Sequence, residues 1–462
     1  MDGAIRMGSL EAGWPDSVSR VLGQRLEHIP ANELIGKRFR TPWLEADSPE
    51  SLNRALKPER LSLGRDCFDP KSSRSNLSLA KAKVAPWPRV AIACSGLGHI
   101  RRGIEAWAED LGRALLRRGA PVRLFGAGGP APVEAVPCLP RTGACARTLA
   151  GIFRRLGGWR YGLGKDYEVE QFTFALNLWR RIRTGIDVVH IQDPVIGRLL
   201  EAARRHGLSQ ARVILANGTG EASHVLKSFP YLQLLTPAAA EAWEAERPPG
   251  QSVYAVPNFV NVHAYVPGMQ AEARAALGLP PKGLIVLCSA AIRRYHKRVD
   301  VLLHAFAQAT RESEYPVLLV VAGGRESDTS EIIAIGQELL GNRVRFLVDF
   351  PRSSMAKLYQ AADLLIMPSL FETFGIVLIE AMAAGLPVLC HDNPSFRYVA
   401  GPAGHFANLA DPQAFVAAIR LLLDSPDLRG RLAARARPYV LQKFSEQAVT
   451  DQILRMYREV LG

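Results

Sequence analysis

The sequence contains only six cysteines among 462 residues, and none of them belongs to a Cys-x-x-Cys pair. No histidines accompany them at the spacing of zinc ligands. Reduced thiols in a cytoplasmic protein are therefore the simplest interpretation. The 48% share of hydrophobic residues is typical of a globular chain. At roughly 150 residues per domain, the length predicts two or three domains.

Long hydrophobic runs are also missing. No stretch reaches the roughly 18 uninterrupted apolar residues that a membrane-spanning helix needs. The N-terminus lacks the basic start and apolar core of a secretion signal. Integral membrane insertion and secretion are therefore not expected. We expect a cytoplasmic protein and leave open a peripheral contact with the inner face of the membrane.

Acidic residues are outnumbered, since 44 Asp and Glu stand against 57 Lys and Arg and give a formal charge of +13. This excess favours polyanionic partners. No nucleic-acid-binding module is recognisable, so nucleic acid is not expected as a partner. Aromatic and basic residues alternate between Phe153 and Lys165. That segment could contact an anionic membrane or a phosphorylated acceptor, or it could be an ordinary solvated surface.

Residues 1–86 carry scattered proline, serine and mixed charge with weak periodicity. We expect a poorly ordered or accessory extension here, or a translation start placed too far upstream. From Arg89 onwards, runs rich in Val, Ile and Leu alternate with helical patterns. This alternation predicts the α/β class, with parallel sheets covered by helices on both faces.

A proline-containing linker near residues 250–268 divides the alternating pattern into two halves. We therefore expect two doubly wound, Rossmann-like domains at residues 87–255 and 256–440, facing each other across a cleft. A last helix at residues 441–462 is expected to cross back to the first domain. Such sheets bind ligands at the C-terminal ends of their strands, which predicts a substrate site between the domains.

The segment after Gly375 is apolar on every face except at Glu380. It predicts a helix that is buried all round and carries one carboxylate inside. A buried carboxylate needs donors, because leaving it unpaired costs several kcal/mol. A structural salt bridge to an arginine and the hydroxyls of a ligand are both open. The free N–H groups at the helix N-terminus could hold an anionic group.

Glu372 and Glu380, with seven residues between them and followed by AMAAGLPV, resemble the Glu-x7-Glu signature of family 4 glycosyltransferases. These retaining enzymes have the GT-B fold and are also described as glycosyl transferases group 1. The resemblance extends over VAGGRES, VRFLVDFPRSSMAKLYQAADLLIMPS and VPNFVNVHAYVP. It covers the C-terminal half strongly, residues 89–250 more loosely and residues 1–86 not at all.

The resemblance implies an acceptor domain in the first half and a nucleotide-sugar donor domain in the second. Within the donor domain, Glu380 would bind the ribose hydroxyls of the nucleotide. Glu372 would contact hydroxyls of the transferred sugar. Backbone amides at the start of the helix would hold the sugar and the phosphate: those of Phe374, Gly375 and Ile376.

A basic loop, Arg293–Arg298, lies between a predicted strand and a predicted helix. Cations aimed at a leaving diphosphate stabilise the charge that develops there, whereas a solvated basic turn is the plain alternative. The resemblance implies one lysine and one arginine in contact with the diphosphate. Lys297 matches the lysine. The arginine is either Arg293 or Arg294, because Ala290-Ala291-Ile292 replaces the usual Gly-Arg opening.

A glycine-rich loop, Gly96–Gly103, follows the first predicted strand. This is the position of a phosphate-binding turn, although tight helix packing explains such a loop nearly as often. The looser resemblance places Gly98 and Gly103 beside the donor phosphates and the acceptor. Where the family commonly has His-x-His, this chain has His190 and Gln192. Both are candidates for the acceptor or sugar side, with a core histidine as the alternative for His190.

The resemblance thus implies retaining transfer of a hexosyl-type sugar from a nucleoside diphosphate sugar to an acceptor hydroxyl of a glycan, a lipid or a small molecule. No Asp-x-Asp motif is present, so neither a metal clamp on the diphosphate nor a cofactor beyond the co-substrate is expected. In the front-face mechanism proposed for the family, the leaving phosphate accepts the acceptor's proton. Alternatives are a GT-B-like epimerase or phosphorylase and a catalytically silent carbohydrate-binding or scaffold protein.

Overall fold

The computed structural model describes residues 87–100, 102–158, 163–313 and 315–462. The extension expected for residues 1–86 lies outside this part of the chain. So do three members of the aromatic and basic segment: Trp159, Arg160 and Tyr161. Within the described part, no helix is both long and apolar enough to span a membrane.

The first half of the described chain is built on a seven-stranded parallel sheet. Its strands are β1 (Val90–Cys94), β2 (Val122–Gly126), β3 (Val133–Ala135), β4 (Val188–Ile191), β5 (Arg212–Ala216), β6 (Tyr231–Leu234) and β7 (Ser252–Ala255). The intervening helices are α1 (Gly103–Arg117), α2 (Ala144–Arg155), α3 (Asp166–Ile182), α4 (Pro194–Arg205), α5 (Ser223–Leu226) and α6 (Pro237–Glu244).

The second half is built on a six-stranded parallel sheet. Its strands are β8 (Leu284–Ser289), β9 (Val317–Gly323), β10 (Val344–Val348), β11 (Leu364–Ile366), β12 (Val388–His391) and β13 (Gly404–Ala407). The helices are α7 (Gln270–Ala276), α8 (Val299–Ala309), α9 (Thr329–Leu340), α10 (Met355–Ala361), α11 (Ile376–Ala383), α12 (Pro394–Ala400), α13 (Pro412–Asp424), α14 (Pro426–Lys443) and α15 (Glu446–Leu461).

The strand order of the six-stranded sheet matches that of the first six strands of the other sheet, which has β7 as an additional edge strand. The first sheet runs β3-β2-β1-β4-β5-β6-β7 and the second β10-β9-β8-β11-β12-β13. Every residue of β1 and β4 is buried, because apolar runs without alternation suit central strands covered on both faces. The expected α/β fold with two Rossmann-like, doubly wound domains is therefore confirmed. Each order reverses beside its first strand, between β1 and β4 and between β8 and β11, where such sheets open a crevice for ligands.

The chain passes between the two sheets at two places that are hydrogen-bonded to each other. On the way from β7 to α7, the Val260 amide donates to the Phe444 carbonyl at 2.9 Å. Phe444 follows α14, and the next residues lead into α15. Apolar residues of α15, among them Ile453 and Tyr457, join the core of the first sheet. The limits drawn above for the domains stay predictions.

His190 lies within β4 and is fully buried. Its Nδ1 atom is hydrogen-bonded to the Tyr457 hydroxyl on α15 at 2.8 Å, and the Trp107 ring packs edge-on at 5.1 Å. Burial lowers the pKa of His190 to about 3, so the ring is neutral at pH 7. Through Nδ1 the His190 side chain ties α15 to the sheet, while its buried Nε2 has no hydrogen-bond partner among the described residues. The acceptor-side or sugar-side role of His190 stays a prediction.

The Tyr457→Phe substitution should lower the free energy of unfolding by about 1–3 kcal/mol, because it leaves Nδ1 of His190 buried without a partner. Urea unfolding followed by circular dichroism measures this change. Tyr295→Phe is the matched control, since the Tyr295 side chain is 67% exposed. An unchanged unfolding midpoint for Tyr457→Phe would show that this hydrogen bond contributes nothing to the docking of α15.

Candidate functional site at the strand-order reversals

The second sheet places two site loops next to each other. The loop of residues 290–298 follows β8 and the loop of residues 367–375 follows β11. Because β8 and β11 are hydrogen-bonded neighbours where the strand order reverses, their C-terminal ends open into the same crevice. The basic loop and Glu372 therefore meet there, although about 75 residues separate them in the chain.

The Glu372 carboxylate is held from three directions. One oxygen, Oε1, accepts hydrogen bonds from the Lys297 ammonium and from the Ser369 hydroxyl, the latter at 2.9 Å. The other oxygen, Oε2, contacts Nε2 of His296 at 3.0 Å. Burial alone would raise the pKa of Glu372, but the His296 hydrogen bond and the Lys297 charge outweigh it and lower the pKa to about 2. The carboxylate is therefore ionised and oriented at neutral pH.

The Glu380 carboxylate lies inside the second domain and is only 8% exposed. Its two oxygens accept hydrogen bonds from the hydroxyls of Tyr265 at 3.0 Å and Tyr359 at 2.9 Å. Its pKa is raised by burial, against the opposing effects of Tyr359 and of the Arg352 charge. Two tyrosines, and not a salt-bridged arginine, thus satisfy this carboxylate. A carboxylate has about four acceptor positions, so it keeps capacity for further hydroxyls.

The start of α11 provides unsatisfied backbone donors. Gly375 is the N-cap residue at φ +85°, and no side chain caps the first turn. A positive φ of this size suits glycine, which has no Cβ. The Phe374 ring is buried and packs edge-on against Phe444 at 5.6 Å, so only the backbone of Phe374 is available to a ligand. The side chain of Ile376 is partly exposed at the helix start.

The arginines of the basic loop have different surroundings. Arg294 forms an ion pair with Glu331 of α9 at 2.9 Å. Arg298 donates to two backbone carbonyls, at 3.1 and 2.9 Å, and thereby anchors the loop. Arg293 has no acidic partner in the described part of the chain, and its buried Nε lacks a hydrogen-bond partner. Of the two candidates Arg293 and Arg294, Arg293 is therefore the one without an ion pair among the described residues.

In the first domain, the glycine-rich loop is packed tightly against its neighbours. Gly98 has φ +104°, and a Cβ there would lie 2.3 Å from the backbone of Gly128. A Cβ at Gly96 would lie 2.0 Å from Oε1 of Glu105. At Gly103, where α1 begins, a Cβ would meet no atom within 4 Å. Packing thus explains Gly96 and Gly98, while Gly103 faces open space.

The two domains touch beside Gln192. A Cβ on Gly218 would lie 2.3 Å from Oε1 of Gln192, so the Gln192 side chain rests on this glycine. The carbonyl of Gly218 accepts a hydrogen bond from the Thr373 hydroxyl at 2.7 Å. Gln192 therefore lies beside the loop that carries Glu372. A second contact between the domains is the ion pair of Asp110 with Arg352 at 2.5 Å.

A buried charged cluster at the C-terminal edge of the first sheet was not found from the sequence. Glu170 is fully buried, pairs with Arg141 at 2.6 Å and contacts His99 at 2.9 Å. Asp193 accepts a hydrogen bond from the Tyr167 hydroxyl, and burial raises the pKa of Asp193 to about 6. Across the described residues, no group of three or more His, Cys, Asp or Glu could hold a metal ion.

Sequence reasoning missed four residues that hold the two glutamates and two that join the domains beside them. The first four are His296, Ser369, Tyr265 and Tyr359, and the other two are Thr373 and Gly218. Tyr265 and Tyr359 lie within the segments that carry the family resemblance, and a polar ring in an apolar run is a signal for a buried hydrogen bond. For Gly218 and Thr373 no sequence signal exists, because their contact depends on how the two domains meet. The roles predicted for the site residues stay predictions.

Comparisons with known proteins identify relatives of this chain. Residues 269–438 match the family described as glycosyl transferases group 1. A D-inositol 3-phosphate glycosyltransferase of Catenulispora acidiphila is 30% identical over 46% of this chain and 52% of its own length. One from Segniliparus rotundus is 28% identical over 82% of this chain and 88% of its own length.

Among solved structures, the catalytic domain of starch synthase IV from Arabidopsis thaliana, bound to ADP and acarbose, has a TM-score of 0.62 at 15% identity. The alignment covers 82% of this chain and all of that domain. At this level of identity the likeness concerns the fold alone. It confirms the GT-B arrangement of two Rossmann-like domains.

The low pKa of Glu372 makes a testable contribution to stability. The folded pKa, about 2, lies below the ordinary value of 4.5, so the stabilisation is complete above pH 4.5 and is lost as the pH falls towards 2. Between pH 6 and pH 3, the wild-type advantage over Glu372→Gln in free energy of unfolding should shrink by on the order of 2 kcal/mol. Urea titrations at each pH measure it.

Glu272→Gln is the control for this titration, because Glu272 is exposed on α7. A difference between wild type and Glu372→Gln that stays constant from pH 6 to pH 3 would contradict the ionised, paired state of Glu372.

Proposed function

The chain is a glycosyl transferases group 1 protein, and we propose that it is a family 4 retaining enzyme that transfers a hexosyl-type sugar from a nucleoside diphosphate sugar to an acceptor hydroxyl. One observation carries the proposal. At the strand-order reversal of the second sheet, an oriented carboxylate, Glu372, lies beside the Lys297 ammonium and close in sequence to the uncapped start of α11. This combination suits a ligand that presents both sugar hydroxyls and an anionic leaving group.

The diphosphate is the part of the donor that cations and amides recognise. Lys297 and Arg293 supply the cations, and Arg293 is preferred to Arg294 because Glu331 already neutralises Arg294. The amides at Gly375 and Ile376 supply neutral donors at a helix N-terminus, where partial positive charge favours anions. The negative charge on the diphosphate grows as the sugar leaves, so these donors stabilise the transition state more than the bound donor.

The nucleoside and the sugar each have a glutamate in this proposal. Glu380 accepts hydrogen bonds from ribose hydroxyls in addition to those from Tyr265 and Tyr359. Glu372 accepts hydrogen bonds from hydroxyls of the transferred sugar. A carboxylate that already bears well-aligned donors is held in place before the ligand binds, which lowers the entropy cost of binding.

The proton of the acceptor hydroxyl goes to the leaving phosphate oxygen in the front-face mechanism. The bond from the anomeric carbon to that oxygen breaks while the bond to the acceptor oxygen forms on the same face, which retains the configuration. This step needs no side-chain base. It agrees with the presence of Gln192 beside the Glu372 loop, since glutamine can orient a hydroxyl but cannot take its proton. The cations at Lys297 and Arg293 replace a metal clamp in this proposal.

The first acceptor to test is D-inositol 3-phosphate, because the two relatives described above are named as D-inositol 3-phosphate glycosyltransferases. The full chain should convert one of a panel of UDP-, GDP- and ADP-sugars with release of the nucleoside diphosphate, with or without EDTA. Product NMR should show the donor's anomeric configuration. No turnover with any donor would contradict the proposed transfer. Sugar phosphate formed from inorganic phosphate would indicate a phosphorylase instead.

Lys297→Ala should lower the turnover number about 100-fold or more at saturating donor, because one preorganised electrostatic group is worth about 3 kcal/mol in the transition state. Its effect on nucleoside diphosphate affinity should be smaller. Lys282→Ala is the matched control, since Lys282 is exposed at the opposite end of β8. A normal single-turnover rate in Lys297→Ala would show that Lys297 does not stabilise the leaving group.

We further propose that α2 contacts anionic membranes or an anionic acceptor. Its sequence, ACARTLAGIFRR, contains no acidic residue. Arg147, Arg154 and Arg155 are exposed, and the apolar side chains of Ile152 and Leu156 are 46% and 77% exposed. Basic and apolar side chains on one exposed helix are typical of contact with a lipid surface.

In a sedimentation assay, the protein should bind vesicles with 30% phosphatidylglycerol more than vesicles of phosphatidylcholine alone, by roughly 30- to 150-fold if two or three arginines contribute about 1 kcal/mol each. Binding should fall as salt is raised, because salt screens exposed charges. Replacing Arg154 and Arg155 together by Ser should remove the difference. Equal sedimentation of wild type with both kinds of vesicle would contradict the membrane proposal.

A further inference from the structure

The residue immediately before Lys297 contacts the same carboxylate from the other side. Nε2 of His296 lies 3.0 Å from Oε2 of Glu372, whereas Lys297 binds Oε1. Because an ionised carboxylate can only accept, Nε2 carries the proton in this contact. Two consecutive residues of one loop, His296 and Lys297, thus donate hydrogen bonds to different oxygens of Glu372.

The loop adopts an unusual backbone to achieve this. His296 has φ +68° and Arg298 has φ +50°. Left-handed conformations are unfavourable for residues with a Cβ other than asparagine and aspartate, so the surrounding contacts must maintain them. Arg298 is fixed by its bonds to the carbonyls of Pro368 and Leu409. The His296 ring packs edge-on against Phe371 at 4.8 Å.

Lys297 has two anionic partners once a donor is bound. The proposed function, on which this inference rests, assigns Lys297 to the diphosphate, and a diphosphate competes with Glu372 for the single ammonium group. When Lys297 turns to the diphosphate, Oε1 keeps the Ser369 hydroxyl and Oε2 keeps His296. Without His296, only Ser369 would remain, and one hydrogen bond cannot fix the rotation of a carboxylate.

We propose that His296 is a positioning residue, which holds Glu372 in the orientation that binds the donor sugar while Lys297 is engaged by the leaving diphosphate. His296 acts through Glu372 and does not itself contact the diphosphate. Removing its N–H should therefore impair sugar transfer and leave the binding of a nucleoside diphosphate, which has no sugar, almost unchanged.

Three variants of His296 distinguish the effect of losing the hydrogen bond from the effects of backbone strain and of lost side-chain packing. His296→Gln places an amide N–H near the position of Nε2, and His296→Leu has similar bulk without a donor. Both are unbranched at Cβ, so both meet the same cost at φ +68°. His296→Asn favours the left-handed backbone, but its amide is too short to reach the Nε2 position. Tyr295→Leu is the control on the same loop, because Tyr295 is largely exposed.

With the donor found for the wild type, His296→Leu and His296→Asn should lower kcat at least tenfold, while the Kd for the nucleoside diphosphate changes less than threefold. His296→Gln should recover most of the lost rate, and Tyr295→Leu should match the wild type. A wild-type rate in His296→Leu or His296→Asn, or a rate in His296→Gln as low as in His296→Leu, would overturn the positioning role. If His296→Leu does not fold, the comparison of His296→Asn with His296→Gln decides.

A second measurement needs no substrate and separates this inference from the proposed function. In the acid titration described for Glu372, His296→Leu and His296→Asn should lose less stability between pH 6 and pH 3 than the wild type, because without the His296 hydrogen bond the folded pKa of Glu372 shifts upwards, towards its ordinary value. His296→Gln should follow the wild type. If no sugar donor is turned over but this shift is present, the transfer function fails while the His296–Glu372 contact stands. If wild type is active and neither kcat nor the titration changes, the inference on His296 is wrong.

Discussion

The ionised carboxylate of Glu372 is the constraint that organises the second domain's site. A charge with little exposure is tolerated only when donors surround it, and here the donors come from two loops that are distant in the chain. The hydrogen-bonded pairing of β8 with β11 brings those loops together. Two residues of the basic loop, His296 and Arg298, have left-handed backbones, and His296 and Lys297 contact the two oxygens of this one carboxylate.

Glu380 shows a different way to hold a carboxylate. It has no ion pair among the described residues and accepts from two tyrosine hydroxyls, which keep it in place without neutralising it. Glu372 is neutralised by a cation that a diphosphate can attract away, whereas Glu380 is not. In the proposed function the two glutamates of the signature therefore have different tasks: Glu372 changes partners when the diphosphate binds, and Glu380 is a fixed acceptor.

Much of the fold was predictable, because apolar runs at regular intervals specify parallel strands with covering helices, and β1 and β8 were found in this way. The neighbourhood of Lys297 and Glu372 was suggested by a family resemblance and not by any local pattern. His190 illustrates the limit of sequence reasoning: the sequence left open a core histidine and an acceptor-side or sugar-side contact implied by the family resemblance. It gave no sign of Tyr457, more than 260 residues away, which is hydrogen-bonded to Nδ1. Contacts between the domains, such as Thr373 with Gly218, have no signature in the sequence.

The two chain crossings between the sheets are joined by the hydrogen bond from Val260 to Phe444. If the cleft opened, the domains would therefore pivot at these crossings. Such a rotation would separate Asp110 from Arg352 and Thr373 from Gly218, and it would leave the hydrogen bond between the crossings intact. Phe444 also packs against Phe374, next to the start of α11. Rotation at the crossings would therefore displace a ring that packs beside the helix end proposed to receive the phosphate.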